Sequence, residues 1–297
     1  MSISPSFDDP RLIPELASEV RTLVDLLRLR AAGESERRAY LYLFDDGTSE
    51  ESLTYAELDQ QARAIGAWLQ MRIEPGERVL LLYPPGLQYV AAFFGCLYAG
   101  AVAVPAYPPR NNRNLLRLQS LVGDARATLS LTTSTILSRI ASQLSEHSYL
   151  ATLTWLASDQ IPRGIEDDWI EPAVGDESLA LLQYTSGSTS APKGVMVSHR
   201  NLLHNEQLIQ RVFQQTDQSI IVGWLPLYHD MGLIGNIIQP LFVAAPSILM
   251  SPVAFLQKPL RWLEAISRYG ATTSGGPNFA YELCVRKISE RSARGWT

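Results

Sequence analysis

Cysteine and histidine are scarce in this chain. Its two cysteines, Cys96 and Cys284, sit in apolar helical patterns, and four histidines are scattered over 297 residues. Such a distribution offers neither a disulfide framework nor a repeated metal-ligand spacing, so buried free thiols in a reducing compartment are expected. A basic excess is lacking too: 25 Lys and Arg stand against 30 Asp and Glu, a formal charge of -5. That balance gives no electrostatic reason for nucleic-acid binding. No basic stretch followed by an apolar core opens the sequence, so no secretory leader is expected. The longest apolar stretch, 89–105, is interrupted by Gly95 and Gly100 and is too short for a transmembrane segment. A cytoplasmic protein is the expectation. With 46% hydrophobic and 19% charged residues, the chain is rich enough in apolar side chains to fold around a large core.

What is present is an alternation of short apolar runs and helical patterns. Residues 1–14 are polar and proline-punctuated and read as a flexible lead-in. Leu16, Val20, Leu23, Val24 and Leu27 predict a helix over 16–29. Strands are expected at 40–44, 79–83, 102–104, 128–132, 153–156 and 219–223, and around 179–182. Thr54-Tyr-Ala-Glu57 has the form of a capping box opening a helix through Leu69. Further helices are expected at 89–99, with Gly100 as terminator, around 115–122, and at 136–144, 201–213, 259–269 and 281–288. Strands alternating with helices predict an α/β protein with a largely parallel sheet covered by helices.

The densest chemical signal is Tyr184-Thr185-Ser186-Gly187-Ser188-Thr189-Ser190-Ala191-Pro192-Lys193-Gly194. Hydroxyls, glycine-freed backbone N–H groups and an ammonium, expected here between a buried strand and a helix N-terminus, suit a polyphosphate. The Walker A order requires a hydroxyl residue directly after the lysine; here Gly194 follows Lys193, which rejects that motif. A second cluster, Trp224-Leu-Pro-Leu-Tyr-His-Asp-Met-Gly232, follows about 35 residues later. Taken alone, His229 beside Asp230 fits a local capping pair as well as a functional one. His199 and His204 read as capping or decorating their helix, the six tryptophans as packing, and Arg110, Arg113 and Arg117 as a solvated face. Gly232, Gly235, Gly275 and Gly276 are expected to allow close backbone approach or a sharp turn.

The first cluster closely resembles the phosphate-binding signature of adenylate-forming enzymes, with Ser190 where glycine is common. The second resembles the Leu-Pro-x-x-His motif of that superfamily. The extended His229-Asp-Met-Gly-Leu-Ile-Gly235, Ser274-Gly-Gly-Pro-Asn-Phe-Ala280 and Tyr107-Pro-Pro109 are similar to fatty acyl-AMP ligases in particular. The resemblance implies the layered parallel-sheet N-terminal subdomains of the adenylate-forming, acyl-CoA synthetase-like fold. It implies a partial adenylation domain over 15–297, with the mobile C-terminal domain absent. It further implies that Thr185, Ser186, Gly187, Ser188, Thr189, Lys193 and Gly194 hold ATP phosphates. His229 would be the catalytic-site histidine, and Asp230, Met231, Gly232, Gly275, Gly276 and Pro277 would border the acyl-adenylate. ATP and Mg²⁺ are the implied cofactors, the metal's ligands falling mostly outside these residues. The implied substrate is a fatty acid, with an acyl carrier protein thiol or coenzyme A as acceptor. A long-chain acyl-CoA synthetase fragment and a non-catalytic, degenerate adenylation module are the alternatives.

Overall fold

The computed structural model describes residues 20–46, 48–108, 112–144, 148–185 and 192–288. In chain order its strands are β1 (Arg38–Leu43), β2 (Glu50–Thr54), β3 (Arg78–Leu82), β4 (Val102–Ala106), β5 (Leu129–Thr132) and β6 (Thr154–Ala157). They continue as β7 (Leu179–Thr185), β8 (Lys193–Ser198), β9 (Ile221–Gly223), β10 (Ser247–Met250) and β11 (Thr273–Ser274). The parallel arrangement expected as one sheet is built as two. One runs β6-β5-β3-β4-β7-β8, the other β11-β9-β10-β1-β2. Each is parallel except for one antiparallel edge strand, β8 and β2 respectively.

Helix Leu87–Tyr98 is buried along its whole length except at Gln88, because eleven of its twelve residues are apolar or glycine. It packs in the core that joins β1 and β3 to helices Leu23–Gly33 and Tyr55–Gln70. Wrapping a helix on all sides this way is what an unbroken apolar sequence dictates. The Thr54–Glu57 capping box forms as expected: Thr54 accepts from the Glu57 N–H, and the Glu57 carboxylate accepts from the Thr54 N–H.

Two departures from the sequence reading have local causes. The helix expected over 16–29 begins at Leu23, because Thr22 and Asp25 cap each other's backbone N–H groups. It continues to Gly33; Val20 precedes it, and residues 16–19 lie outside the described residues, as does the lead-in expected over 1–14. The phosphate-type loop does not run from a strand into a helix N-terminus. It joins β7 to β8 in an antiparallel hairpin, with Tyr184 opposite Gly194 and Thr185 opposite Lys193. The following helix, His199–Phe213, starts only after β8, and Ser198 and Asn201 consume its free N–H groups in a capping box.

Two buried titratable groups on that helix act in opposite directions. His199 is fully enclosed, its Nδ1 accepting the Leu23 N–H at 3.2 Å, rather than capping or decorating the surface. Burial pushes its pKa from 6.5 down to about 4. Glu206 is also fully enclosed, and burial raises its carboxyl well above the usual range. Gln239 lies beside it on the neighbouring helix, its Nε2 donating to Gln215 Oε1 at 2.7 Å.

The lowered His199 pKa supports stability above 6.5, and that support is lost as pH falls towards 4, worth about 3 kcal/mol in total. The raised Glu206 pKa does the reverse, since the folded chain keeps a proton the unfolded chain releases above 4.5. Glu206→Gln should therefore make stability fall more steeply between pH 6.5 and 4.5, by up to about 1.4 kcal/mol per pH unit. Urea unfolding across that range measures it; curves parallel to wild type would refute the protonated carboxyl.

Candidate active site

Chain segments leaving the C-terminal ends of parallel strands converge on one cleft. Phe44 follows β1, Pro84 and Pro85 follow β3, Tyr107 follows β4, Trp224 follows β9, and Ser251 follows β10. All line a cavity of about 960 Å³, as do Tyr228, His229, Met231, Pro277 and Phe279. This edge is where open α/β sheets bind ligands, because strand ends and helix starts leave a crevice there. β7 runs parallel to β4, so the Thr185 end of β7 and the loop after it leave from the same edge of the sheet as Tyr107.

The cleft wall is aromatic. Trp224 stacks on Phe255 with centroids 3.9 Å apart and meets Trp262 and Phe279 edge-on. Tyr107 and Tyr228 contact each other at 5.2 Å. Such a surface offers dispersion and area burial to an alkyl chain, with few polar groups to desolvate.

His229 stands exposed at this wall as the N-cap of helix Asp230–Leu233. Its Nδ1 lies 2.5 Å from Asp230 Oδ1, which also accepts the Met231 N–H at 2.6 Å. The pair therefore fixes the imidazole orientation and leaves Nε2 as the second ring nitrogen for a ligand. Beyond Leu233 the helix passes through a π-helical segment, Ile234–Ile238, before Gln239–Val243. Its carbonyls at Asn236 and Ile237 accept hydroxyls from Ser247 and Tyr40, which accommodates the wider turn.

The glycines divide. A Cβ at Gly232 would stand 2.1 Å from the Pro226 carbonyl oxygen, and one at Gly276 2.9 Å from the Trp224 ring. Among the described residues, Gly235 and Gly275 have no neighbour within 4 Å of that position, and none of the four takes a positive φ. Close approach thus holds for two, and neither close approach nor a left-handed turn accounts for the others.

Of the phosphate cluster, Ser186, Gly187, Ser188 and Thr189 lie outside the described residues. The Thr185 backbone ends β7, Lys193 is exposed at the base of β8, and neither Lys193 nor Gly194 lines the cleft. Gly194 lies beneath the Tyr184 ring, whose hydroxyl donates to Asp124 at 2.6 Å. Asp230 does not itself line the cleft, but touches two residues that do, His229 and Met231. Phe44 and Pro84 carry no local sequence signal for the cleft, and sequence reasoning missed the helix Pro252–Gln257 although its Ser251 N-cap and Pro252 mark a helix start. It also read Trp224 as ordinary packing, although its place in the His229 motif was a usable clue. Both cysteines are buried free thiols, His204 and Arg117 are exposed, and Arg110 and the Arg113 side chain lie outside the description. Among the described residues, no helix is long and apolar enough to cross a membrane, and no group of three His, Cys, Asp or Glu could hold a metal.

Two mostly parallel sheets with a shared strand-end cleft are the architecture of the N-terminal part of adenylate-forming ligases. A fatty acyl-adenylate ligase from L. pneumophila, solved in complex with acyl adenylate and pyrophosphate, matches with a TM-score of 0.90 at 42% identity, over 96% of this chain and 49% of that one. The chain belongs to the AMP-binding enzyme family, whose model matches residues 27–294. It is 47% identical over 275 residues to a medium-chain-fatty-acid–[acyl-carrier-protein] ligase of Moorena producens, covering 91% of this chain and 46% of that protein. It is 37% identical over 269 residues to a long-chain-fatty-acid–AMP ligase of Mycobacterium tuberculosis, covering 86% and 46%. The chain therefore spans about half the length of these curated relatives.

Proposed function

We propose that residues 15–297 of this chain form the acyl- and phosphate-binding part of the adenylation domain of a fatty acyl-AMP ligase. The observation that carries the reading is the aromatic cleft with His229 at its wall, on the strand-end edge from which the phosphate-type loop also departs. The likeness to a structure holding acyl adenylate and pyrophosphate supports it. A fatty-acid carboxylate oxygen attacks the α-phosphorus of ATP; the acyl–phosphate bond forms, the α–β bridge breaks, and pyrophosphate leaves. Positioning and charge neutralisation carry most of such a step. Thr185, Ser186, Gly187, Ser188, Thr189, Lys193 and Gly194 hold the departing phosphates; Mg²⁺ would supply further charge neutralisation, its protein ligands falling mostly outside these residues. His229, oriented by Asp230, borders the carboxyl, with Met231, Gly232, Gly275, Gly276 and Pro277 around the adenylate. A carrier-protein phosphopantetheine thiol then attacks the acyl carbonyl and AMP departs. This chemistry belongs to the cytoplasm, where ATP is supplied.

Fatty-acid-dependent ATP–pyrophosphate exchange, measured on this chain combined with the complementary half of the Moorena relative, tests the reading. Exchange is expected, and Lys193→Ala should weaken it roughly tenfold to a hundredfold by removing a charge-assisted contact. Associated halves with no exchange would leave a non-catalytic module as the answer. Acyl transfer to coenzyme A in preference to holo-carrier protein would overturn the acceptor assignment.

A further inference from the structure

Gln183 occupies a junction that no motif marks. It lies on β7 two residues before Thr185, opposite Val195 of β8, and is 8% exposed. Its Nε2 donates to the carbonyl of Tyr228 at 3.2 Å, a partner 45 residues away and immediately before His229. That carbonyl belongs to a tight turn, since the His229 N–H donates to the Pro226 carbonyl at 3.1 Å. One buried amide therefore bridges the strand that carries the phosphate-type loop and the turn that carries the histidine. Its other atom, Oε1, is buried with no hydrogen-bond partner among the described residues. An orphaned acceptor is a cost to the fold that an apolar side chain would not incur. Stability alone thus gives little reason for an amide here, whereas fixing one element against the other does.

We propose that Gln183 is a positioning residue that couples phosphate binding on the β7–β8 hairpin to the orientation of His229. The inference rests on the functional reading above and deepens it. Phosphate held at Lys193, opposite Thr185 in the hairpin, restrains the end of β7, and the amide passes that restraint to the Tyr228 carbonyl. Coupling of this kind needs only a shared rigid element with a differential contact.

The test follows the His229 ring by NMR while the chain is titrated with pyrophosphate, the signal being assigned by its loss in His229→Asn. In the wild-type chain the ring resonances should shift saturably with pyrophosphate. In Gln183→Leu, pyrophosphate should still bind, weakened by no more than a few-fold, and the melting temperature should stay close to wild type, while the His229 shift loses roughly half of its amplitude or more. Gln183→Met, which keeps the length and has no donor, should lose the His229 response as well. A full response in Gln183→Leu overturns the coupling. So does a fall in stability that tracks the lost response, since that marks a merely structural role. A wild-type chain that binds pyrophosphate with a silent His229 defeats the coupling alone; one that binds none defeats the functional reading with it.

Discussion

Gly232→Ala should dislodge the His229 turn and destabilise the chain by about 3 kcal/mol, lowering its melting temperature by several degrees. The new Cβ would sit 2.1 Å from the Pro226 oxygen, 2.8 Å from its carbon and 3.2 Å from the Leu225 oxygen. All three atoms are main chain, so no rotamer change relieves the collision. The displaced Pro226 oxygen is also the acceptor for the His229 N–H, so the turn would lose its own closing hydrogen bond. Calorimetry and amide exchange at residues 226–233 measure the outcome. A variant with wild-type stability and protection would mean the two backbone segments are not in contact.

Phe255→Ala should cost about 3–5 kcal/mol, the range for removing a large buried ring. Phe255 has no exposed surface, stacks on Trp224 at an interplanar angle of 19°, and meets Trp262 edge-on at 5.6 Å. The cavity left beneath Trp224 removes the support of the cleft wall, so the wall should loosen before the fold fails. Urea unfolding gives the stability loss, and a lauric-acid titration gives the accompanying loss of acyl affinity. Phe255→Leu, which refills most of the volume, should recover a large part of both. Equal losses in the leucine and alanine variants would rule out the cavity explanation.

Elements with a strong local signature were legible in the sequence. The Thr54–Glu57 capping box and the apolar run ending at Gly100 set their helices to within about two residues. Strands with continuous apolar sequence were equally readable, because both of their faces are covered. The two antiparallel edges were not. β2 reads Glu-Glu-Ser-Leu-Thr and buries only Leu53, so it carries neither alternation nor an apolar run. β8 was absorbed into the phosphate motif and the helix after it, and a strong motif hid a strand. At the site, the His229–Asp230 pair could be read because its partners are adjacent in sequence. The cleft could not, because Phe44, Pro84, Tyr107 and Phe279 meet only when two sheets bring their strand ends together. Non-local contacts of that kind leave no periodicity behind.

In the proposed role of the β7–β8 loop as a phosphate cradle, its hairpin origin sets how binding there responds to ionic strength. A loop feeding a helix would borrow the field of aligned peptide dipoles, which is held in place by the fold. Here Ser198 and Asn201 have already occupied that helix end, beyond the whole length of β8. The attraction for a polyphosphate then falls to local donors and to Lys193, whose exposure places it within reach of screening counter-ions. Added salt should erode binding at this loop through the lysine, while leaving the donors' preference for phosphate geometry intact.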